Sequence, residues 1–276
     1  MIGHHHAELL KRYAIEPKKS LGQNFLVNDV ILGNISEFID IESRHVIEVG
    51  PGYGALTERL ISANPASLTL VEYDPRMVAI LQDRESKHEF DFAGTLNIIE
   101  QDVLQFDPKE SSLLIANIPY YITSPILFRF LYEVALVPTE MLILMQKEVA
   151  DKITKQKGYQ NSYLSLALEH GCDILEKRFE VAASNFVPAP KVDSAVVYFR
   201  TKSEQTSPEK TKSFLKLISQ AFSQPRKKVV SNLANGGVGA KEDLEAMLLE
   251  FGIRADARAE TINLPDWYRI FDRLCR

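Results

Sequence analysis

Apolar and polar positions alternate in blocks along the first half of the chain. From residue 45 to about residue 150, short aliphatic runs alternate with longer stretches whose apolar positions recur at helical spacing. The short runs predict buried strands, and the longer stretches predict amphipathic helices. The predicted strands are His45–Gly50, Leu68–Tyr73, Leu96–Glu100, Leu113–Ala116 and Met141–Met145. This alternation is typical of an α/β fold in which a parallel sheet has helices on both sides.

The predicted helices between these strands carry recognisable end signals. The first, over Ala55–Ser62, begins just after a glycine-rich segment. The second, over Pro75–Gln82, has Asp74 as its predicted N-cap, because a capping carboxylate followed by proline favours a helix start. A third begins near Ser124-Pro125 and places apolar side chains on one face, namely Ile126, Leu127, Phe130 and Leu131.

The second half of the chain changes character. After a helix predicted over Ser162–Glu169, the segments Cys172–Val181 and Ser194–Arg200 read as antiparallel edge strands added to the sheet. A polar linker, Thr201–Pro208, follows, and beyond it the pattern is helical. The helices there are predicted over Glu209–Phe222, Lys241–Phe251 and Pro265–Leu274, with a break at Asn235-Gly236-Gly237. We therefore expect an α/β domain over residues 1–203 and a small helical domain over residues 204–276.

Composition sets the protein class. The 276 residues are 45% hydrophobic and 25% charged, as in an ordinary soluble globular protein with an ample core. No stretch resembles a transmembrane span or a secretory signal, so a cytoplasmic location is expected. Cys172 and Cys275 are far apart and have no paired spacing, which argues against a disulfide framework or a zinc site. The tract His4-His5-His6 is interpreted as a frayed, solvated terminus or an expression remnant without a role.

Charge is distributed unevenly. The net charge is -5, but residues 1–176 hold 15 Lys and Arg against 25 Asp and Glu, a net of -10. Residues 177–276 hold 17 against 12, a net of +5. A basic portion on an acidic protein fits a phosphate-bearing partner, although charge alone favours ordinary solvated lysines and arginines.

A strand running into a glycine turn predicts a ligand site. Residues 46–54 read Val-Ile-Glu-Val-Gly-Pro-Gly-Tyr-Gly, a G-x-G-x-G order that differs from the G-x-G-x-x-G of dinucleotide folds. Glu72 ends the second predicted strand, 22 residues after Gly50, where a carboxylate can accept both ribose hydroxyls of an adenosine. Asp102 ends the third strand, where it can bind an adenine amine. S-adenosylmethionine, a cation without phosphate, suits this acidic set, and Glu48 is a candidate to orient its amino-acid portion.

The segment Asn117-Ile118-Pro119-Tyr120 follows a buried strand and carries candidate chemistry. The Asn117 amide offers an acceptor and two donors, the proline stiffens the turn, and the tyrosine offers a flat face for stacking. These groups could hold the exocyclic amine of a planar base such as adenine. On its own, the tetrapeptide fits equally well a strand that ends in a turn with a core tyrosine.

Several segments together resemble the ribosomal RNA adenine dimethyltransferases, in particular the bacterial enzymes that modify 16S ribosomal RNA. The matching segments are Pro17–Leu26, Glu48–Gly54, Val71–Asp74, Gln101–Val103, Asn117–Tyr120, Leu144–Ala150 and Asn185–Ser194. The likeness covers most of residues 12–230 in the family's order. It implies a Rossmann-like methyltransferase sheet with an antiparallel edge, a small all-helical C-terminal RNA-binding domain, and a cofactor-covering segment over residues 12–27.

The resemblance also implies a role for each site residue. Those expected at S-adenosylmethionine are Gln23, Asn24 and Leu26 over its methionine part, Gly50 at its backbone, Glu72 at its ribose, and Asp102 with Val103 at its adenine. Asn117 is expected nearest the methyl donor, and Tyr120 and Phe186 on either side of the target base. No metal is implied. Basic residues within 147–157 and 226–228 are expected to contact RNA phosphates.

The implied activity is dimethylation of the N6 amines of two adjacent adenines in a 3'-terminal hairpin of 16S ribosomal RNA, by a monomer acting on the small ribosomal subunit. A large-subunit (23S) enzyme that confers antibiotic resistance is the main alternative. A DNA adenine methyltransferase, a nicotinamide dehydrogenase and a non-catalytic assembly factor fit fewer of the motifs. The chain departs from common family patterns at Asn161–Ser165 and Pro225–Lys228, both in regions expected to face RNA.

Overall fold

The computed structural model describes residues 4–204 and 206–274. The strands within them are β1 (Phe25–Leu26), β2 (His45–Val49), β3 (Ser67–Glu72), β4 (Thr95–Glu100), β5 (Leu113–Asn117), β6 (Glu140–Gln146), β7 (Cys172–Val181), β8 (Phe186–Val187) and β9 (Ser194–Thr201). The helices are α1 (His4–Arg12), α2 (Asp29–Ser36), α3 (Ala55–Ser62), α4 (Pro75–Ser86), α5 (Thr123–Phe128), α6 (Lys147–Ile153), α7 (Tyr163–Gly171), α8 (Pro208–Ala221), α9 (Val229–Asn235), α10 (Lys241–Glu250) and α11 (Leu264–Leu274).

Seven of these strands form one sheet in the order β4-β3-β2-β5-β6-β9-β7. Strands β2 to β6 pair in parallel, and β9 pairs antiparallel to β6. The predicted α/β sheet with an antiparallel edge is therefore confirmed. The chain leaves β2 toward β3 and later returns to β5 on the opposite side of β2. Ligands bind at such a switch point, beyond the carboxyl ends of the strands.

Local signals explain the helix that follows β3. Helix α4 begins at Pro75, and the Asp74 side chain accepts a hydrogen bond from the Arg76 N–H, as predicted for an N-cap. Proline is tolerated at this position because its missing N–H would have no partner within the helix. The cap fixes the chain direction directly after Glu72, at the carboxyl edge of the sheet.

A second, two-stranded sheet joins segments that are distant in sequence. Strand β1 pairs antiparallel with β8, so that Leu26 lies opposite Phe186 and Phe25 lies opposite Val187. The Val27 N–H extends the ladder by donating to the Asn185 carbonyl at 2.9 Å. This pairing places the N-terminal segment and the Phe186 segment next to each other.

The interpretation of His4–His6 as a frayed terminus was wrong, and that of a solvated one was wrong for His6, whereas His4 and His5 are exposed. These residues begin α1, and His6 is buried, with only 1% of its surface exposed. Its ring lies 6.0 Å from that of Tyr53, and its Nε2 lies 3.3 Å from Asp29 Oδ1. Leu9, on the same face of α1, is also buried in the core. The apolar face of α1 therefore holds the helix to the protein.

The chain forms two compact units. One comprises Met1–Ala150 and Ile174–Thr201, and the other comprises Asp151–Asp173 and Lys202–Arg276. The division differs from the boundary expected at residue 203, because residues 151–173 belong with the C-terminal helices. Leu166 of α7 explains the difference, since it is fully buried in the same core as Phe214 and Trp267. In the described ranges, no helix is both long and apolar enough to cross a membrane.

Candidate active site

A pocket of about 450 Å³ lies within the first unit, at the carboxyl ends of β2, β3 and β5. Its size is within the range of small-molecule sites. Every site residue predicted from the sequence lines it, namely Gln23, Asn24, Leu26, Gly50, Glu72, Asp102, Val103, Asn117, Tyr120 and Phe186. The fold therefore brings together residues that span more than half of the chain.

The glycine turn forms the floor of the pocket between β2 and β5. Gly50 has a φ of +70°, and a Cβ on it would lie 3.0 Å from the carbonyl oxygen of Asn117. Gly52 has a φ of +58°, and a Cβ there would lie 2.9 Å from the Phe25 ring. Other residues would be strained in this backbone conformation and would also collide with their neighbours. Glycine at both positions therefore allows the turn to approach β5 and the covering segment closely.

Glu72 is a buried carboxylate held by backbone donors. Its Oε2 accepts from the Gly52 N–H at 3.0 Å, and its Oε1 accepts from the N–H groups of Tyr73 and Asp74 at 2.8 Å each. Burial raises the pKa of Glu72, and the three N–H donors oppose that rise. These bonds fix the carboxylate against the glycine turn. Oε1 already accepts two hydrogen bonds, so the lone pair that remains for a ligand is on Oε2.

Glu48 is a second buried carboxyl group in the pocket wall. It is 1% exposed and accepts a hydrogen bond from Thr57 Oγ1 at 2.7 Å. Burial raises the pKa of Glu48 to about 8, with the hydrogen bond from Thr57 acting in the opposite direction and the charge of Glu72 adding to the rise. In the absence of a nearby cation, burial therefore favours the protonated form of Glu48.

The segment that follows β4 supplies an acidic group next to an apolar one. Asp102 Oδ1 accepts from the Leu104 N–H at 2.9 Å and so caps a short 3₁₀ turn. Val103, which begins that turn, is buried in the pocket wall. An acceptor beside an aliphatic surface suits the edge and face of a planar heterocycle.

The covering segment before β1 is shaped by its own amide side chains. Gln23 Oε1 accepts from the Lys18 N–H at 2.8 Å, and Gln23 Nε2 donates to Asp74 Oδ2 at 2.9 Å. Asn24 Nδ2 donates to the Gly22 carbonyl at 3.0 Å. Leu26 is 2% exposed and lies in the pocket wall through β1. These amides order the segment at the rim of the pocket.

The side chains of Asn117 and Tyr120 differ in their hydrogen bonds to the rest of the protein. Asn117 is the last residue of β5, and within residues 4–204 and 206–274 its side-chain amide has no hydrogen-bond partner. The Tyr120 hydroxyl forms a 2.6 Å hydrogen bond with Ser194 Oγ, and burial raises the pKa of Tyr120. Phe186 is 3% exposed and belongs to the core as well as to the pocket wall. The unpartnered amide is thus the group that a ligand can engage most directly.

The sequence analysis missed two residues that line the pocket, Tyr73 and Tyr121, and one that contacts a lining residue, Ser194. Ser194 fixes the Tyr120 ring, although its hydroxyl carries no local signal of that contact. Tyr121 and Tyr73 line the pocket with 64% and 62% of their surface exposed. An exposed aromatic residue beside a site is a signal of binding. The exposure of these tyrosines can be recognised only from the structure, because the sequence does not show which side chains are buried.

The two basic segments predicted to contact RNA, within residues 147–157 and 226–228, differ in how far their charges are paired within the protein. Arg226, Lys227 and Lys228 are all exposed. By contrast, Lys155 pairs with Glu169, and Lys157 Nζ lies 2.7 Å from Asp151 Oδ2. Their charges are partly compensated by the protein itself. No group of His, Cys, Asp and Glu that could hold a metal ion occurs in the part of the chain that the structure describes.

Comparison with known proteins identifies the family. A family model described as ribosomal RNA adenine dimethylase matches residues 15–276. Two relatives named ribosomal RNA small subunit methyltransferase A, from Enterococcus faecalis and a Geobacillus species, are 36% and 33% identical to the chain. Each match covers 97% of this chain and 93% and 94% of the relative, respectively.

Solved structures share the fold. The 23S rRNA methyltransferase ErmE matches with a TM-score of 0.72 and 26% identity, over 92% of this chain and 100% of that one. A dimethyladenosine transferase from Plasmodium falciparum matches with a TM-score of 0.72 and 23% identity, over 90% and 97%. The fold and the family predicted from the sequence motifs are confirmed. This chain belongs to the ribosomal RNA adenine dimethylase family and is a methyltransferase.

Proposed function

We propose that the protein uses S-adenosylmethionine to dimethylate the N6 amines of two adjacent adenines in a 3'-terminal hairpin of 16S ribosomal RNA, within the small ribosomal subunit. The observation that carries the proposal is that Asn117, whose backbone carbonyl lies against Gly50, lines the same pocket as Glu72 and Asp102. The names of the 33–36% identical relatives favour the small subunit. The protein is proposed to act as a monomer in the cytoplasm.

The chemistry of the pocket wall fits this cofactor. The wall contains three carboxyl groups, from Glu48, Glu72 and Asp102, and none of the described residues that line it is a lysine, arginine or histidine. A site without cations disfavours a phosphate-bearing dinucleotide and favours a ligand with positive charge. When bound, S-adenosylmethionine supplies an electrophilic methyl group on a sulfonium.

Each cofactor-binding residue is proposed to contact a different part of the ligand. Glu72 would accept a hydrogen bond from the ribose, and Asp102 would accept one from the adenine amine while Val103 packs on the ring. Gly50 lets the turn lie against the methionine portion, which Gln23, Asn24 and Leu26 would cover. A positive charge near Glu48 would lower the pKa of Glu48 and make the carboxylate a partner for the ligand's ammonium group.

Asn117 is proposed to prepare the target amine. The N6 lone pair of adenine is delocalised into the ring, which makes the nitrogen a weak nucleophile. If Asn117 Oδ1 and a backbone carbonyl of the Ile118-Pro119 turn accept its two N–H bonds, the nitrogen becomes more tetrahedral. The lone pair then points toward the methyl donor. The methylated nitrogen releases its proton to water, so positioning rather than a strong base supplies most of the catalysis.

Tyr120 and Phe186 are proposed to hold the base once it is drawn out of the RNA. Each stacking contact contributes about 1–3 kcal/mol. The hydrogen bond between Tyr120 and Ser194 fixes the plane of one ring, and the pairing of β1 with β8 fixes the position of the other. After the first methylation, one N–H remains for Asn117 to accept, which permits the second transfer.

The test uses unmethylated small and large ribosomal subunits and labelled S-adenosylmethionine. Label in the 16S RNA, mapped by mass spectrometry to two adjacent N6,N6-dimethyladenines near the 3' end, is the expected result. Label in 23S RNA would instead support the alternative that the ErmE likeness raises. Binding to small subunits without transfer of label would indicate an assembly factor.

A further inference from the structure

Arg84 is a buried cation outside the pocket that no step described so far uses. Only 1% of its surface is exposed, and a buried arginine requires partners for its donors. Its Nη1 donates to the Tyr53 carbonyl at 2.6 Å, and its Nε donates to Glu89 Oε2 at 3.0 Å. Nη2 pairs with Glu58. One guanidinium thus joins the glycine turn, α3 and the segment after α4.

The contact with Tyr53 connects Arg84 to the pocket. Tyr53 lies between Gly52, whose N–H donates to Glu72, and Gly54, which precedes α3. The turn is therefore held from the pocket side by Glu72 and from the opposite side by Arg84. A Cβ on Gly54 would lie 3.0 Å from Arg84 Nη1, so the glycine leaves room for the guanidinium.

Helix α1 holds the two carboxylates that hold Arg84. Arg12 Nη2 donates to Glu89 Oε1 and Oε2 at 2.6 and 2.7 Å. His5 Nε2 lies 2.9 Å from Glu58 Oε1. Glu89 thus lies between two arginines, and Glu58 lies between Arg84 and a histidine. The N-terminal helix completes the support of the turn.

We propose that Arg84 is a positioning residue for the cofactor turn, and that Arg12 on α1 supports it through Glu89. The inference rests on the proposed function, since it assigns the turn to S-adenosylmethionine. A guanidinium offers five donors in a planar fork, whereas an ammonium group is a single point that cannot bridge three acceptors in this geometry. The shape of Arg84, as well as its charge, therefore sets the position of the Tyr53 carbonyl.

The experiment measures cofactor binding separately from methyl transfer. Titration calorimetry of the wild type with S-adenosylhomocysteine comes first. A wild type that does not bind would overturn the proposed function and with it the assignment of Arg84 to a cofactor turn, whereas a change confined to the variants concerns Arg84 alone. For Arg84→Lys, we expect the Kd for S-adenosylhomocysteine and the KM for S-adenosylmethionine to rise about tenfold, with kcat changed less than about twofold, since one charged hydrogen bond is lost. Lys87→Ala is the control. It removes an exposed cation that directly follows α4 and pairs with Asp83, and it should leave the Kd and the KM unchanged.

A loss of stability without a loss of cofactor binding would overturn the proposal. If Arg84→Lys lowers the melting temperature while Kd and KM stay at wild-type values, Arg84 is structural only and the proposal is wrong. Should this variant fail to fold, Arg12→Met tests the same network from the surface, because the Arg12 side chain is 46% exposed. It should raise the KM for S-adenosylmethionine about threefold. A wild-type KM in a folded Arg12→Met protein would overturn the role of α1.

Discussion

A Cβ atom on Gly50 would lie 3.0 Å from the carbonyl oxygen of Asn117. The end of β2 and the end of β5 therefore approach each other as closely as a glycine permits. Since Gly50 belongs to the proposed cofactor turn and Asn117 to the proposed amine clamp, this contact sets the spacing between the two halves of the site.

Gly50→Ala should disturb both halves. The added methyl group meets Asn117 O in a backbone with positive φ, a strain on the order of 1–3 kcal/mol. We expect weaker S-adenosylhomocysteine binding by calorimetry and a lower kcat in a labelled-methyl assay. Gly33→Ala is the matched control, because Gly33 lies inside α2 with its nearest neighbour atom at 4.0 Å. The control should be neutral or slightly stabilising.

Asn117→Ala should abolish methyl transfer and leave cofactor binding within about threefold of wild type, since the amide has no structural partner among the described residues. Titration calorimetry beside the labelled-methyl assay measures the two effects separately. A parallel loss of both signals would show that Asn117 supports the fold instead of the reaction.

Tyr120→Phe and Tyr120→Ala should differ. The phenylalanine variant keeps the stacking face and loses only the hydrogen bond to Ser194, a cost of about 1 kcal/mol. The alanine variant also loses stacking, worth about 1–3 kcal/mol, so its KM for RNA should rise further. Ser194→Ala should behave like Tyr120→Phe in the same steady-state assay. Equal KM values in all three variants would exclude a stacking role for Tyr120.

Glu48 should make stability depend on pH. Because folding raises its pKa from 4.5 to about 8, the unfolded chain ionises first, and the free energy of unfolding falls as pH rises through this range. Glu48→Gln should remove roughly 2–4 kcal/mol of that fall between pH 5 and pH 8. Urea denaturation at both pH values measures it, with Glu42→Gln, at an exposed position, as the control. An identical pH response in wild type and Glu48→Gln would contradict the burial argument.

The exposed turn with Arg226, Lys227 and Lys228 should contribute to the salt dependence of RNA binding. Replacing all three by glutamine should reduce the slope of log K against log salt by about 2. Fluorescence anisotropy with a 16S hairpin fragment measures this slope. Removing an equal number of exposed charges at Lys212, Lys216 and Lys241 is the control. If both triple variants change the slope alike, overall charge and not the turn determines binding.

Much of the fold could be predicted because its signals are local. The strand over Cys172–Val181 was predicted with the observed bounds, and the one predicted over Leu113–Ala116 was one residue short. Short aliphatic runs and capping residues carry this information within a few positions. The site followed from the same logic, because the ends of parallel strands meet at one edge of the sheet.

What could not be predicted depends on contacts between distant positions. The two-residue strands β1 and β8 are too short for a periodic pattern, and their pairing joins residues about 160 positions apart. Helix α1 was missed because its histidines resemble a tag, although His6 and Leu9 make one face of it buried. The pKa of Glu48 and the contacts of Ser194 and Arg84 follow from burial and geometry, which composition does not reveal.

The pairing of β1 with β8 has a consequence for the order in which the site forms during synthesis. The glycine turn, Glu72, Asp102 and Asn117 all lie within the first 120 residues, but strand β1 gains its partner only when residues 186 and 187 have emerged from the ribosome. A nascent chain of 150 residues thus contains the floor of the pocket without the strand that secures its cover. The methyltransferase site therefore becomes complete late in synthesis, after most of its functional residues have been added to the chain.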